Sequence, residues 1–513
     1  MTSILLVALW AQGLFAQDTE WLDYGGGPHA RRFSELSEIN ASNVARLAPK
    51  WIYQTGVGGK FETVPLITRG RMFLTGPANH AWALDLLTGR PLWHINPGMP
   101  DGINACCGPM NRGFAISGER LFKVTFEGDL IAYDLSTGKP IWKKTLADFK
   151  KGYSATGAPL VVKNLVLTGI AGAEFGTRGF VDAYDVATGE RKWRFWTVPT
   201  YDEPGGKTWP KDFHERGGGS TWVTGTYDPE LNLVYWGTGN PGPDMDGDVR
   251  PGDNLYTCSV VALDADTGKL KWHFQFTPHD VHDWDAVGDP TLADIVVKGA
   301  PVKALLFPNR NGFYYTLDRT NGKLIAAKPF TKVSWATEIK ADGKPALVAG
   351  QDPSDDGVKS CPGLGGGHNW WATSYSPQSK LHYFGSIDGC QIYFKTEQPF
   401  VEGAWYQAST TAAIPAEPST ASLVAVDPVT AETKWRVELA KAPSGGVLST
   451  AGGLVFYGDQ DGWLAAYDAK SGKVLWRFQT GGQIAAPPVS YRFRGKQYLA
   501  LVAGGAVIAF GLP

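Results

Sequence analysis

One pattern of apolar and polar positions recurs seven times along the chain. Each copy has one or two apolar residues, an Asp, a short turn that usually ends in Thr-Gly, and then usually a Trp, as in ALDLLTGRPLW at 83–93 and AYDLSTGKPIW at 132–142. Apolar segments on both sides of a tight turn predict a β-hairpin, in which Asp or Thr caps backbone N–H groups and Gly takes a positive φ. The Asp residues of the seven copies are Asp85, Asp134, Asp185, Asp264, Asp318, Asp427 and Asp468.

The spacing of these copies predicts an all-β, eight-bladed β-propeller with tryptophan-docking repeats. We interpret the interval of 109 residues between Asp318 and Asp427 as two units, the hidden one being SYSPQSKLHYFGS at 374–386. A lone hairpin cannot bury both of its faces, whereas four-stranded units stacked radially cover one another, with Trp rings between the sheets. The segment PKWIYQTG at 49–56 fits an outer strand that closes the ring and leaves no open edge. A linear β-solenoid is the alternative, but its repeats would be shorter.

Composition supports short strands and excludes several classes of protein. The chain of 513 residues has 63 Gly, 20 Trp, 19 Tyr and 24 Phe but only 19% charged residues, which is typical of turn-rich β structure and not of a coiled coil. A net charge of −2 offers no basic surface for nucleic acid. No segment reaches the ~18 apolar residues of a membrane helix, so we expect no integral membrane segment.

The N-terminus has the pattern of an export signal. Residues 4–15, ILLVALWAQGLF, form an apolar run of signal-peptide length, and the small Ala16 follows. We therefore expect a signal peptide over 1–16 and a single propeller domain over 17–513. A buried first strand is the alternative, because residues 1–3 carry no Lys or Arg.

The five cysteines point away from a built-in haem. None lies in a C-x-x-C-H motif, so we expect no covalent c-type haem and a separate electron carrier. In an oxidising compartment Cys361 and Cys390 could form a disulfide, which would leave Cys258 as a buried free thiol. The other two, Cys106 and Cys107, are neighbours in the chain.

Several motifs do not belong to the repeat, and together they are specific. They are ACCGPMNRG at 105–113, TGAPLVV at 156–162, GAEFGTRG at 172–179, GGSTW at 218–222, GTGNPGP at 237–243, TPHDVHDWDAVGD at 277–289 and PNRNGFYYTLDRTNGKL at 308–324. From about Trp21 to the C-terminus the chain resembles the pyrroloquinoline quinone (PQQ) dependent alcohol dehydrogenases. The resemblance implies a periplasmic eight-bladed propeller with PQQ on its axis, which oxidises a small alcohol and passes electrons to a soluble cytochrome c.

The resemblance also implies a metal site. Glu174 and Asn240 match the family's metal ligands, and Asp283 matches its catalytic carboxylate, which takes the hydroxyl proton of the alcohol and also binds the ion. Asp285 stands where calcium enzymes of the family mostly carry a small or neutral residue and lanthanide enzymes carry Asp. Three carboxylates match a trivalent ion better than a divalent one, so we expect a lanthanide such as La³⁺ or Ce³⁺, with Ca²⁺ as the alternative. The other interpretation of Asp285 is that it caps a turn.

By the same resemblance, PQQ is held between a disulfide ring and an indole ring. A disulfide between Cys106 and Cys107 would lie against one face of PQQ, and Trp222 would stack on the other. We expect Arg310 to donate to the quinone oxygen, which makes it catalytic alongside Asp283. The remaining positions that match cofactor contacts are Glu62, Arg112, Thr156, Gly172, Ala173, Asn369 and Trp370.

Three positions depart from the family's usual pattern. Ala171 replaces a Ser that binds the cofactor, Ser444 replaces a Trp at the floor of the site, and His282 replaces an aromatic residue of the pocket wall. His279 and His282 are not spaced for a transition-metal site, so we interpret them as turn or pocket residues. The loop at 395–420 is expected to cover the site, with Trp405 and Tyr406 at the substrate entrance.

Two other functions remain open at the level of sequence. A non-enzymatic propeller of the kind that scaffolds outer-membrane protein assembly shares the repeat, but it has no need of the neighbouring cysteines or the metal-site motifs. A PQQ sugar or polyol dehydrogenase would differ only in pocket residues. The favoured alcohol and the oligomeric state, including a homodimer, are also left open.

Overall fold

The computed structural model describes residues 18–103 and 105–513. Within these residues, most of the strands belong to eight blades of four antiparallel strands, here blades 1 to 8. Seven blades are four-stranded sheets, and the four strands of blade 7 are part of a five-stranded sheet. The strands of blades 1 to 4 are Leu66–Thr68, Arg71–Thr75, Ala81–Asp85 and Pro91–Ile95; Ala115–Ser117, Arg120–Val124, Asp129–Asp134 and Pro140–Thr145; Leu160–Val162, Leu165–Gly169, Phe180–Asp185 and Arg191–Trp196; Thr226–Asp228, Leu233–Gly237, Ser259–Asp264 and Leu270–Gln275. The strands of blades 5 to 8 are Thr291–Val297, Ala300–Pro308, Phe313–Asp318 and Leu324–Pro329; Ser374–Ser376, Leu381–Asp388, Thr420–Asp427 and Glu432–Leu439; Val447–Thr450, Leu454–Gly458, Trp463–Asp468 and Val474–Gln479; Val489–Phe493, Lys496–Ala503, Ala506–Gly511 and Ala48–Gln54.

The ring closes by joining the two ends of the described chain. Ala48–Gln54 pairs antiparallel with Ala506–Gly511 and becomes the outer strand of blade 8. The largest apolar cluster runs from blade 7 through blades 8 and 1 to blade 2. Each of the other clusters between blades combines residues from two neighbouring blades. The protein is therefore a closed all-β propeller, as the repeats predicted, and PKWIYQTG is the closing strand.

The predicted hidden repeat at 374–386 is wrong as a separate blade. Ser374–Ser376 and Leu381–Asp388 are the first two strands of blade 6, because Leu381–Asp388 pairs with Thr420–Asp427. A long insertion at 389–419 separates these two halves of one sheet, and together with the segment at 330–373 between blades 5 and 6 it explains the wide Asp spacing. The eighth blade is instead built from the C-terminal strands and Ala48–Gln54.

Tryptophan side chains connect successive blades in the way the repeat predicted. In six blades an indole N–H donates to a backbone carbonyl of the next blade over 3.1 to 3.3 Å. The ring also lies on the turn glycine of that blade; a Cβ added to Gly189, for example, would come within 2.8 Å of the Trp142 ring. The six tryptophans are Trp51, Trp93, Trp142, Trp193, Trp272 and Trp435.

The repeat Asp caps the turn that receives the tryptophan. Asp85 Oδ1 accepts hydrogen bonds from the backbone N–H and the hydroxyl of Thr88 at 2.9 and 2.7 Å. The hydroxyl contact lowers the pKa of Asp85 below its ordinary value. Gly89, the next residue, has a φ of 70°, which glycine adopts without steric cost. The Asp-Thr-Gly pattern thus defines both the turn and the surface on which the Trp packs.

Smaller elements supplement the eight blades. Phe33–Ser34 adds a short parallel strand beside Val447–Thr450. A two-stranded sheet pairs Ala336–Ile339 with Pro345–Leu347, and a three-stranded sheet contains Val358–Ser360, Gln391–Lys395 and Ser409–Ala413. The 3₁₀ helices are Val44–Arg46, Phe149–Lys151, Ala173–Phe175, Gly206–Thr208 and His214–Arg216.

The cysteines of blade 4 and of the segments around blade 6 are in the predicted states. Cys361 and Cys390 form a disulfide with an S–S distance of 2.04 Å, and Cys258 is a buried free thiol, as expected. In the part of the chain described here, no helix has the length and apolar character needed to cross a membrane. The predicted signal peptide at 1–16 lies outside the described residues.

Candidate active site

The candidate residues enter the structure at two recurring places in the blades. One group lies three to eight residues before the first strand of a blade, and a second group lies shortly after a second strand. Because the first two strands are antiparallel, both places are at the same end of the propeller. The first group is Glu62, Arg112, Thr156, Trp222, Asp283, Asp285, Asn369 and Trp370, and the second is Gly172, Ala173, Glu174, Asn240 and Arg310.

The carboxylate of Asp285 contacts two other predicted site residues, Asn240 and Trp222. Its Oδ1 accepts the backbone N–H of Asn240 at 2.6 Å, and its Oδ2 accepts the indole N–H of Trp222 at 3.0 Å. Gly239 makes this approach feasible, since a Cβ there would come within 2.6 Å of Asp285 Oδ1. The carboxylate of Asp285 therefore connects the GTGN, GGSTW and HDWDA motifs directly.

Arg310 pairs with both aspartates of the HDWDA motif. One guanidinium nitrogen lies 3.1 Å from Asp285 Oδ2 and another lies 3.3 Å from Asp283 Oδ2. The second nitrogen also donates to the carbonyl of Leu364 at 2.6 Å, which fixes the guanidinium plane. Burial raises the pKa of Asp283 well above its ordinary value, and the charge of Arg310 opposes that shift. Asp283 has a φ of 57°, in the left-handed region.

Glu174 is a half-buried carboxylate in the short helix Ala173–Phe175. Gly172 precedes this helix with a φ of 123°, and a Cβ there would come within 2.3 Å of the Gly152 carbonyl oxygen. Burial raises the pKa of Glu174 to about 7; its own backbone N–H lowers it, the charge of Asp285 raises it further and Arg310 lowers it. Glu174 is therefore close enough to Asp285 and Arg310 for their charges to act on it.

Asn240 presents a single side-chain atom that can accept. Its Nδ2 donates to the carbonyl of Pro241 at 3.1 Å and to Asp244 Oδ1 at 2.8 Å. No described residue donates a hydrogen bond to its Oδ1. Asp244 was not among the residues singled out from the sequence, although it lies in the Gly-, Pro- and Asp-rich segment that follows Asn240.

The donor set fits a hard cation by its chemistry, although these side chains currently bind one another. Among the residues described, no three His, Cys, Asp or Glu side chains are arranged around a common metal position. The four predicted ligands nevertheless offer only oxygen atoms, which calcium and other hard cations prefer. Three of them are carboxylates, and Arg310 is the cation that pairs with Asp283 and Asp285. When all three carboxylates are ionised, negative charge exceeds positive charge here, and a bound cation would offset the excess.

A second network joins five predicted cofactor residues. Arg112 binds Glu62 Oε2 at 2.6 Å and donates to Thr156 Oγ1 at 2.8 Å. Its guanidinium lies 4.9 Å from the ring centroid of Trp222 and 5.0 Å from that of Trp370. Because Trp222 also binds Asp285, its indole connects this network to the carboxylate cluster.

Lys60 belongs to the same network, although the sequence analysis did not predict it as a site residue. Its ammonium lies 2.7 Å from Glu62 Oε1 and 4.5 Å from the ring centroid of Trp370. Glu62 thus has a cation at each carboxylate oxygen. Polar groups and flat rings side by side are suited to a planar, acidic cofactor. The proximity of Lys60 to Glu62 in FETVP was the available signal.

The remaining predicted cofactor residues make local contacts. Cys106 and Cys107 form a disulfide between neighbours, as the resemblance implied. Asn369 donates to the Gly365 carbonyl and accepts the backbone N–H of Trp370. Ala173 is buried in the helix that carries Glu174. Apart from the contact between Asn369 and the Trp370 backbone, no hydrogen bond joins these side chains to the two networks above among the described residues.

His279, His282 and the loop at 395–420 make packing and hydrogen-bond contacts with neighbouring segments. His279 binds the Gly252 carbonyl, and His282 is buried against the Trp284 ring, with ring centroids 4.2 Å apart. Tyr406 is buried and donates its backbone N–H to the Glu174 carbonyl, while Trp405 is exposed and contacts Phe175 edge-on. The loop therefore packs on the helix of Glu174.

Comparison with known proteins identifies the family of the chain. The family model "PQQ: Glucose/ethanol/alcohol dehydrogenase, beta-propeller domain" matches residues 21–338 and 425–499. "Quinohemoprotein alcohol dehydrogenase ADH IIB" of Pseudomonas putida is 39% identical over 96% of this chain and 74% of its own length. "Lanthanide-dependent methanol dehydrogenase" of Methylacidiphilum fumariolicum is 37% identical over 94% of this chain and 85% of its own. The solved structure titled "Europium-containing methanol dehydrogenase" superposes with a TM-score of 0.92 at 33% identity, covering 96% of this chain and 98% of that one.

The chain belongs to the family of PQQ-dependent alcohol dehydrogenases. It is an oxidoreductase of this type, for which an alcohol substrate and a cytochrome c acceptor are typical. The alternative of a non-enzymatic propeller scaffold is not supported.

Proposed function

We propose that this chain oxidises small primary alcohols to aldehydes with a lanthanide ion beside PQQ, and that Ca²⁺ is the less favoured ion. Glu174, Asn240, Asp283 and Asp285 would bind the ion. Asp283 and Arg310 would act on the reacting atoms. The residues that would hold PQQ are Glu62, Cys106, Cys107, Arg112, Thr156, Gly172, Ala173, Trp222, Asn369 and Trp370.

The observation that carries this proposal is the orientation of Asp285. Its carboxylate binds the backbone of Asn240, the indole of Trp222 and the guanidinium of Arg310. A carboxylate that only capped a turn would bind backbone N–H groups of its own segment, as Asp85 does. Asp285 instead brings a third negative charge to the residues that match the family's metal ligands.

The number of carboxylates favours a trivalent ion. Coulomb attraction grows with the product of the charges, so each added carboxylate favours a trivalent ion over a divalent ion of similar radius. The lanthanide-dependent relative and the europium-containing structure are similar to this chain along most of its length. Both facts support a lanthanide without excluding Ca²⁺.

In the proposed chemistry the two aspartates have different roles. When bound, PQQ supplies the hydride acceptor, and the ion polarises its reacting carbonyl. The side chain of Asp283 is 18% exposed and that of Asp285 is 7% exposed, so an alcohol reaches Asp283 more readily. Asp283 therefore takes the hydroxyl proton, and Arg310 orients its carboxylate.

Reconstitution tests the metal assignment directly. The apo-protein would be combined with PQQ and either Ca²⁺ or La³⁺, and dye reduction would be followed with ethanol as substrate. We expect higher activity with La³⁺. Activity with Ca²⁺ alone would contradict the lanthanide assignment, and no PQQ-dependent activity with either ion, across a panel of alcohols, would contradict the proposed role of the site.

Replacement of Asp285 tests whether its negative charge determines the preference for a trivalent ion. In Asp285→Ala we expect La³⁺-supported activity to fall by about 10²-fold or more, because a charged ligand and the Asn240 contact are both lost. Ca²⁺-supported activity should fall much less. The ratio of the two activities is the measurement, and an unchanged ratio would contradict the charge argument.

The proposal also covers the substrate class, the cellular location, the electron acceptor and the oligomeric state. A panel of primary alcohols, sugars and polyols distinguishes an alcohol dehydrogenase from a sugar or polyol dehydrogenase. The apolar run at 4–15 supports export to the periplasm, which N-terminal sequencing of the mature protein tests. A soluble cytochrome c is the proposed acceptor, and light scattering tests the proposed homodimer.

A further inference from the structure

Asp244 is a buried carboxylate at the edge of the candidate metal site. Its side chain has no solvent exposure, and its Oδ1 accepts the side-chain N–H of Asn240 at 2.8 Å. Its Oδ2 is buried without a hydrogen-bond partner among the described residues. Burial of a carboxylate with one unpartnered oxygen is unfavourable, and a nearby cation would offset that cost.

The contact with Asp244 fixes which end of the Asn240 amide faces the site. Asn240 Nδ2 donates to two acceptors, Asp244 Oδ1 and the Pro241 carbonyl. A flipped amide would place its oxygen against both acceptors, which is electrostatically repulsive. Asp244 therefore selects the rotamer in which Asn240 Oδ1 is available to a cation.

The backbone that carries Asp244 is held independently of its carboxylate. Arg250 is buried and donates to the carbonyls of Pro243 and Asp244 at 2.9 and 3.2 Å. It also donates to the Asp280 carbonyl at 2.7 Å, so the loop is fixed to the segment that leads to Asp283. The carboxylate of Asp244 could thus change without loss of these backbone contacts.

Asp244 adds a fourth carboxylate to the electrostatics of the site. Its Oδ1 lies 2.8 Å from Asn240 Nδ2, so its carboxyl group is next to the position of any ion that Asn240 binds. The positive charge of such an ion favours the ionised carboxylate, and the charge of the carboxylate in turn attracts the ion.

We propose that Asp244 is a positioning residue of the metal site, which orients the Asn240 amide and favours trivalent over divalent ions through its charge. This inference rests on the metal site proposed above. Outer partners of metal ligands commonly orient the ligand and alter metal affinity. The charge makes a specific prediction, since its attraction for an ion scales with the charge of that ion.

Metal binding to the apo-protein tests this role without activity measurements. Tb³⁺ would be titrated into the full chain and followed by tryptophan-sensitised luminescence, because the Trp222 indole binds Asp285. The affinity for Ca²⁺ would be measured by competition. In Asp244→Asn we expect the Kd for Tb³⁺ to rise about 10- to 100-fold, and the Kd for Ca²⁺ to rise by a smaller factor. Asp244→Ser, which is smaller and also neutral, should give the same result.

Asp246→Asn is the matched control. Asp246 lies in the same loop and is buried, but its Oδ1 accepts the backbone N–H of Asp248 instead of binding Asn240. We expect Tb³⁺ and Ca²⁺ affinities in this variant to stay within about twofold of the unaltered protein, given that its carboxylate does not orient a ligand.

Three results would overturn the role of Asp244. They are an unchanged Kd for Tb³⁺ in both Asp244 variants, an equal loss for Tb³⁺ and Ca²⁺, and an equal effect of Asp246→Asn. If the unaltered protein bound neither ion, the metal site itself would be wrong, and the role of Asp244 with it.

Discussion

At the scale of single residues, two aspartates two positions apart have different environments. Asp283 is partly exposed and has a left-handed backbone, whereas Asp285 is buried and bound by Trp222 and Asn240. The difference in exposure supports a proton-accepting role for Asp283 and a charge-supplying role for Asp285. The first role is tested by removing the basic oxygen without changing the shape of the side chain.

Asp283→Asn should lower kcat by about 10²- to 10⁴-fold, which is the usual contribution of a positioned general base. Steady-state kinetics of the reconstituted enzyme would measure it. Asp280→Asn is the matched control, because Asp280 lies in the same motif but binds the backbone N–H of Trp284. A similar loss in both variants would contradict the assignment of Asp283 as the base.

A buried histidine far from the proposed ligands gives a pH prediction. His382 is buried beside the Tyr314 hydroxyl at 3.0 Å, and burial lowers its pKa to about 3. The unfolded chain would bind this proton near pH 6.5, so the free energy of unfolding falls as the pH drops below that value. Between pH 7 and pH 4.5 this loss amounts to about 2–3 kcal/mol.

His382→Phe should remove that part of the pH dependence. Urea unfolding at pH 7 and pH 4.5 would measure it. Tyr314→Phe is the control, since it removes the same hydrogen bond but keeps the imidazole. It should lower stability at both pH values by about 1 kcal/mol and leave the pH dependence unchanged. Equal pH dependence in His382→Phe and the unaltered protein would contradict the account.

Motif resemblance proposed the site residues, but it could not supply their contacts. The HDWDA and GTGN motifs predicted Asp285 and Asn240, and the structure brings them into direct contact. Asp244 and Lys60 were missed because their roles depend on contacts with other site residues and not on a recognised motif position. Asp244 lies in a segment rich in Gly, Pro and Asp, and the burial of its carboxylate could not be inferred from that composition.

At the scale of elements, the repeat describes a contact between neighbouring blades. Each docked Trp needs a carbonyl acceptor and a flat glycine surface on the next blade, and the Asp-Thr-Gly turn provides both. This is why the Gly recurs with the Trp in most copies of the repeat. The repeat therefore predicts packing between sheets in addition to a hairpin within one sheet.

Gly189→Ala tests this contact. The new Cβ would lie within 2.8 Å of the Trp142 ring and would also require a φ of 68°. We expect a loss of about 2–4 kcal/mol in the free energy of unfolding, from backbone strain and overpacking together. Denaturant unfolding would measure it.

Gly118→Ala is the matched control for backbone strain. Gly118 has a φ of 58°, but no atom lies within 4 Å of its added Cβ. This variant should lose only about 1–2 kcal/mol. Equal losses in the two variants would show that the tryptophan contact adds nothing to stability.

At the scale of the whole molecule, ring closure brings distant segments of the chain to one end. Residues from the entries of blades 1 to 6 form the two contact networks that Trp222 connects. The repeats and the segment at 49–56 were sufficient to predict a closed ring. They did not reveal that an insertion at 389–419 divides blade 6, because an interrupted sheet leaves the same spacing as a missing repeat.

The central claim is that three carboxylates and one amide oxygen bind a single highly charged ion beside PQQ. The most direct measurement is anomalous X-ray scattering from crystals of the enzyme reconstituted with PQQ and Ce³⁺. The account predicts one anomalous peak in contact with Glu174, Asn240, Asp283 and Asp285, with the two aspartates turned from Arg310 towards the ion. A peak elsewhere, or Asp285 still bound to Arg310 alone, would contradict it.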